Sequence, residues 1–191
     1  MRKILLLVAL AFAMTMSAQN EHKFAIKAGA GLSTLVGSDS DGCKTILSYT
    51  VGASYDLSLS EKFSVIPGLE LAKKGWKEDG VEGDINMGYI QVPVFAALKF
   101  PLGEAGTSLS IKVGPYVSYG LYGSDIYFAD INETINVFDE FERFDYGAIA
   151  GVSLDFDDVF VGIEYSRGLA KVHSSLKAYN QVIGLNVGYK F

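Results

Sequence analysis

Residues 180–191 read Asn-Gln-Val-Ile-Gly-Leu-Asn-Val-Gly-Tyr-Lys-Phe. Ile183, Leu185, Val187, Tyr189 and Phe191 share one parity, and Gly184, Asn186, Gly188 and Lys190 share the other. A two-residue period is that of a β-strand with two unlike faces. An apolar row ending in Tyr-x-Phe is awkward against water, but it suits a strand whose outer face meets lipid and whose aromatic end lies at the membrane interface. That reading constrains everything else. A chain that crosses a bilayer in strands must pair every backbone N–H and C=O, and only a closed barrel does so.

The same period recurs along the chain. Apolar rows begin at Phe24 (Phe24, Ile26, Ala28, Ala30, Leu32), at Leu47 (with Tyr49, Val51, Ala53, Tyr55, Leu57) and at Phe63 (with Val65, Pro67, Leu69, Leu71). Others run from Ile90 to Phe100, from Leu109 to Tyr119, from Phe144 through Tyr146 to Phe156, and from Val159 to Tyr165. With the terminal segment the expectation is an all-β fold, a closed antiparallel transmembrane β-barrel of about eight strands. The connections between rows alternate long and short, as external loops and periplasmic turns do. Pro93 within a row implies a bulge or a missing ladder bond. The longest connection, 122–143, is acidic yet holds Ile126, Phe128, Ile131, Val137, Phe138 and Phe141; it prolongs a hairpin or forms a short amphipathic helix over 136–144.

The first residues have the charged, apolar and small-residue order of a secretory signal peptide, so residues 1–18 are expected to be removed and residues 19–191 to form one barrel domain. No later apolar run is long enough for a spanning helix. The 21 Gly, 11 Tyr and 12 Phe fit curved strands and interfacial aromatics. The single Cys43 cannot form an internal disulfide. A net charge of −6 without a basic stripe argues against a nucleic-acid partner.

Alternation alone does not say which face points inward. In a soluble lipid-binding barrel the apolar row lines a cavity, whereas in a membrane barrel it meets lipid. The polar rows here are mostly Gly and Ser, which fits a crowded interior better than a solvated surface. Aromatics also gather at both ends of the apolar rows. Phe24, Phe63, Phe100, Phe156, Tyr189 and Phe191 form one girdle, and Tyr49, Tyr119, Tyr146 and Tyr165 the other. Both points favour lipid outside.

The segments Tyr89-Ile90-Gln91-Val92-Pro93-Val94, Val113-Gly114-Pro115-Tyr116-Val117-Ser118-Tyr119, Phe144-Asp145-Tyr146-Gly147, Tyr165-Ser166-Arg167-Gly168-Leu169 and Val187-Gly188-Tyr189-Lys190-Phe191 occur in that order. In this the chain resembles the PorT-like "porin family" of small outer-membrane β-barrel proteins of Gram-negative bacteria. The resemblance implies an OmpA/OmpX-like up-and-down barrel in the outer membrane, with no defined substrate. It also implies that Ile183, Leu185, Val187, Tyr189 and Phe191 look like the signal read by the outer-membrane assembly machinery. Expected partners are that machinery, outer-membrane lipid, and an extracellular partner of unknown identity met through the loops.

The remaining chemistry is sparse. Lys27, Glu70, Lys112 and Glu164 share the inward parity, and a narrow barrel brings them within reach of one another as an internal charge network. The sharper alternative is a gated ion path and so a passive porin-like conduit. His173, followed by Ser174 and Ser175, is the one candidate for hydrolytic chemistry, while His22 precedes the first strand. A lone loop histidine is ordinarily solvated, so no catalytic residue, cofactor or metal ligand is expected. The acidic loop lacks EF-hand spacing, and Gly29-Ala30-Gly31 precedes no helix pattern that would make it a phosphate cradle.

Overall fold

The computed structural model describes residues 23–78, 83–103, 106–128 and 133–191, with backbone alone for 125–128 and 133–135. The expected signal peptide over 1–18, His22 and part of the acidic loop, including Asp130 and Ile131, lie outside the described residues.

In chain order the elements are β1 (Lys23–Gly37), β2 (Cys43–Lys44), β3 (Ile46–Ser58), β4 (Phe63–Glu78), β5 (Ile85–Pro101), β6 (Thr107–Gly123), β7 (Asp125–Phe128), β8 (Glu133–Asn136), α1 (Val137–Glu140), β9 (Phe144–Phe156), β10 (Val159–Gly168) and β11 (Ala178–Lys190). Among the described residues β1, β3, β4, β5, β6, β9, β10 and β11 form a ring of eight, each pairing antiparallel with its two neighbours. Closure is made by β1 and β11, from Ala25 opposite Lys190 to Gly37 opposite Ala178. Phe191 then donates its N–H to the Phe24 carbonyl at 2.7 Å. No edge strand remains in the ring, which is what a hydrocarbon environment demands of a β-structure.

The two ends of the ring differ. At one end, here the turn end, the chain reverses between β3 and β4, β5 and β6, and β9 and β10 within a few residues. At the other, the loop end, β2 pairs with the tip of β4, β7 and β8 form a separate hairpin, and α1 follows directly. Both readings of the 122–143 connection therefore hold in part, since a hairpin extension and a short helix occur in succession. The helix is capped by the Asn136 side chain, which accepts from the Phe138 N–H at 3.1 Å.

Pro93 removes ladder bonds and leaves the register intact. The β4–β5 ladder lapses between Pro67–Val94 and Glu70–Gln91, where Pro93 faces Gly68, and resumes in the same register. Pro67 sits in a similar gap between β3 and β4, and Pro115 in one between β5 and β6. Each of the three prolines pairs on its other side, Pro67 opposite Val94, Pro93 opposite Tyr116 and Pro115 opposite Ala148. A residue in an antiparallel strand sends its N–H toward one neighbour only, so the gap falls where the missing donor would have pointed. The true register shift lies elsewhere, at Gly88/Tyr89 in the β5–β6 ladder.

The inside and outside of this barrel are inverted relative to a water-soluble one. Along β9 exposed and buried residues alternate without exception, with Phe144, Tyr146, Val152, Leu154 and Phe156 exposed and Asp145, Ile149, Ser153 and Asp155 buried. The girdle residues of both sets point outward and are 36% to 66% exposed. On β9 the ten residue-to-residue steps from Tyr146 to Phe156 rise about 34 Å at about 3.4 Å each, which a strand tilt of about 40° shortens to about 26 Å, close to the height of a lipid-facing band. An apolar surface encircling the whole molecule far exceeds what a soluble monomer exposes. Leu185, in the middle of β11 and 62% exposed, reports on this directly. Leu185→Arg is expected to lower the folding free energy in vesicles by about 2–4 kcal/mol by urea titration, against a negligible change for a surface site in water.

Candidate functional site

Among the described residues the polar and titratable side chains converge chiefly in the interior. At mid-height Lys27 of β1 bonds Glu70 of β4 at 2.8 Å and Glu164 of β10 at 2.7 Å. Lys112 of β6 completes the group at 2.6 Å from Glu164. Gln91 of β5 donates to the second Glu70 oxygen at 3.2 Å. Two cations and two anions from four separated strands thus meet on the axis, at 3% to 7% exposure for Lys27, Glu70 and Glu164. Glycines on the neighbouring strands make the room. A Cβ on Gly52 would stand 2.7 Å from Glu70 Cγ, and one on Gly151 2.9 Å from Glu164 Cγ. Phe95 presents its ring to both ammonium groups, 5.8 Å from Lys27 and 5.1 Å from Lys112.

Further charged pairs flank this tetrad. Toward the loop end, Lys74 of β4 lies 2.8 Å from Asp145 of β9. Asp145 also accepts from the Tyr116 hydroxyl at 3.1 Å and the Asn180 amide at 3.3 Å. The Lys74 ammonium sits over the rings of Tyr116 and Tyr89, at 4.3 and 5.0 Å. Toward the turn end, Lys99 pairs with Asp56 at 2.6 Å and Lys190 with Asp155 at 2.5 Å. Ser110 adds a bond to Asp155. Cavities of about 30 and 50 Å³ lie on the two sides of the tetrad, and a wider recess of about 540 Å³ opens at the turn end.

The loop end is apolar. Trp76, Ile85, Met87 and Tyr89 of β4 and β5 pack with Val137 and Phe138 of α1 and with Val172. Phe138 stands edge-on to Tyr89 at 5.9 Å, and Phe141 edge-on to Trp76 at 5.1 Å. Backbone bonds from Glu142 to Val172 and from Val137 to Ser124 tie the helix to two connections. Cys43 is half-buried against this cluster, and burial together with Glu78 and Asp41 pushes its thiol pKa up. His173 lies beside it with its ring edge-on to Phe141, and its Nδ1 accepts the Ser175 backbone N–H at 3.2 Å. That bond shapes the turn and engages the very nitrogen through which a catalytic histidine is oriented. Among the described residues no group of His, Cys, Asp and Glu has the arrangement of a metal site.

The model of a family described as "Outer membrane protein beta-barrel domain" matches residues 8–174. The chain belongs to this family. It is accordingly an outer-membrane β-barrel, with the ring of eight antiparallel strands already described. The fold is similar to that of Neisserial surface protein A, at 13% identity, 90% coverage of this chain, 100% of that one and a TM-score of 0.57. It is also similar to the outer membrane enzyme PagL, at 12% identity, coverages of 86% and 98% and a TM-score of 0.55. Ail, the attachment invasion locus protein of Yersinia pestis, aligns at 16% identity over 90% of this chain and 100% of that one, with a TM-score of 0.48. The sequence matches no curated protein. At such identities the likeness speaks to the fold alone, and the fold accommodates catalysis in at least one of these barrels.

Within this family barrel the residues singled out from sequence fall into three places. Lys27, Glu70, Lys112 and Glu164 are joined in one group on the axis. Phe24, Phe63, Phe100, Phe156, Tyr189 and Phe191 stand outward at the turn end, where the Phe24 and Phe191 rings are 6.0 Å apart and those of Tyr189 and Phe191 4.9 Å. Tyr49, Tyr119, Tyr146 and Tyr165 stand outward toward the loop end, and Ile183, Leu185 and Val187 lie between the two sets on β11. The tetrad is thus only the middle of a longer column of charge. Asp56, Lys99, Asp145, Asp155 and Lys190 share its parity, and the same rule applied to every strand finds them. Lys74 lies beyond Leu71, the last residue of the third apolar row, on a β4 that runs to Glu78. Removing one partner from a buried ion pair strands the others. Glu164→Gln, which leaves Lys27 and Lys112 in excess, is expected to cost about 3–5 kcal/mol in reversible unfolding from detergent or vesicles.

Proposed function

We propose that this protein is a small barrel of the outer membrane with a structural or interactional role, its lumen closed by its own side chains and its loop end presented to the exterior. The observation that carries this reading is the column of paired charges from Lys74–Asp145 through the tetrad to Lys99–Asp56 and Lys190–Asp155, under an apolar cap. Cavities of about 30 and 50 Å³ beside the tetrad have room for a few waters each, which supports a lumen filled by side chains. An eight-stranded ring is just wide enough for side chains to fill it. The alternative, a passive porin-like channel for small solutes, requires that both the ion pairs and the cap yield. The resemblance to the PorT-like porin family, narrower than the family named above, fits either version.

In this reading the turn end and both termini face the periplasm after removal of residues 1–18. The outward row of β11, closing on Tyr189 and Phe191, is what the assembly machinery reads. The loops, chiefly that from β6 to β9, are what an extracellular partner meets. The Ser175 N–H held by His173 Nδ1 supports a reading in which this histidine shapes its turn. Catalysis is therefore no part of the proposal.

Planar-bilayer recordings of the refolded protein are expected to show no steady conductance, and large stable channels would favour the conduit. On a gel the folded protein should migrate differently before and after boiling, while a soluble protein without such a shift would defeat the membrane reading. Deletion of Phe191 is expected to reduce membrane insertion much more than a glycine substitution in a loop. Insertion at the wild-type level would remove the role given to that residue.

A further inference from the structure

Of the charged side chains on the eight barrel strands, nearly all point into the lumen. The exceptions below the extreme tip of β4, where Lys77 and Glu78 pair with β2, are Lys73 and Arg167. Both are cations and neither has a carboxylate partner among the described residues. Both sit at about the height of the outward tyrosines, near the loop end of the apolar band. Arg167 follows Tyr165 by one outward position on β10, and Lys73 lies one step beyond the Thr50–Ala72 pair, level with Tyr49. A charge facing hydrocarbon is costly at mid-bilayer and tolerated at the interface, so this height is the headgroup zone.

Each cation is set among hydrogen-bond donors. Lys73 lies opposite Gly88 on β5, and Gly88 opposite Tyr122 on β6. Tyr122 folds back across Gly88, where a Cβ would stand 2.1 Å from its ring, and its hydroxyl meets that of Tyr49 at 2.7 Å. Two outward tyrosines on β3 and β6 thus clasp across the intervening strands, over the row that holds Lys73. One of the two phenols donates within the pair and the other keeps its O–H free. On the far side of the barrel Arg167 is opposite Gln181 of β11 and Ala148 of β9. The Gln181 carbonyl accepts from the Tyr165 hydroxyl at 3.0 Å, which leaves its amide N–H groups free of that bond on the residue paired with Arg167. Both places offer positive charge and donors with no competing acid, which is the complement of a phosphate monoester.

We propose that Lys73, with the Tyr49–Tyr122 clasp, and Arg167, with Gln181, bind the phosphate groups of a phosphorylated glycolipid in the outer leaflet. The proposal rests on the membrane reading with the loop end outward. The ring then carries a lipid contact on each flank, and the tyrosine clasp holds the Lys73 flank rigid against the bulge at Gly88/Tyr89.

The test uses the full protein extracted from outer membrane, checked by the boiling-dependent gel shift. It is exchanged into micelles holding lipid A, dephosphorylated lipid A or phosphatidylglycerol, and bound lipid is counted by native mass spectrometry. Phosphorylated lipid A should be retained in preference to both others, and the Lys73→Gln/Arg167→Gln double variant should lose about tenfold or more in retention while keeping its gel shift. Equal retention of dephosphorylated lipid A, or retention by the variant at the wild-type level, would overturn the site and leave the membrane reading intact. Preference for phosphatidylglycerol would also overturn it, assigning the cations to phospholipid. A wild-type protein with no gel shift would remove the membrane reading itself.

Discussion

Backbone hydrogen bonding governs this molecule more than side-chain packing does. In hydrocarbon there is no water to satisfy an exposed N–H or C=O, so strands are viable only when each has a partner on both sides. The long β1–β11 ladder supplies the last such pairing and turns an open sheet into a ring. Other features follow as accommodations of that demand. The strand prolines are tolerated because each lapses on one side only and the register survives. The register shift at Gly88/Tyr89 is displaced toward the loop end.

Closure creates a second constraint. The outer face of an eight-stranded ring must be apolar, so every strand sends its polar parity into a lumen little wider than the side chains themselves. Charges in that space are stable only when neutralised by hydrogen-bonded partners. The barrel does this across its axis, joining β1 to β4 and β10, β4 to β9, and β3 to β5. The same pairs that settle the electrostatics occupy the path a solute would take. In the proposed function, stability and closure are therefore one property, and the apolar cap formed with α1 adds a seal of a different chemical kind at the loop end.

Much of this was legible from residue order because a strand's period of two separates its faces without reference to anything distant. The ring, the outward rows, the aromatic sets and the tetrad all come from parity. What parity hid is instructive. Parity places Phe95, Tyr116 and Phe160 inward although large aromatics read as lipid-facing by type, but it says nothing of what they meet there, and Trp76 and Tyr89 lie inward as well. Four of them lie against lysine ammonium groups and Trp76 stands edge-on to Phe141, so their place is set by three-dimensional partners that no local pattern announces. Lys74 was obscured by Gly75, which suggests a strand end yet lies within β4. The Tyr49–Tyr122 clasp was equally invisible, since it joins strands separated by two others. Only the closed ring brings such residues together.

The central claim is that the apolar row faces lipid and the small and charged row faces the lumen. Site-directed spin labelling of β11 in bilayers tests it residue by residue. A nitroxide is placed in turn at positions 183 to 188, and its collision rates with oxygen, which partitions into lipid, and with a water-soluble nickel chelate are measured. Oxygen accessibility should peak at Ile183, Leu185 and Val187 and fall at Gly184, Asn186 and Gly188, giving a period of two. Peaks at the second set, or no alternation at all, would contradict the account.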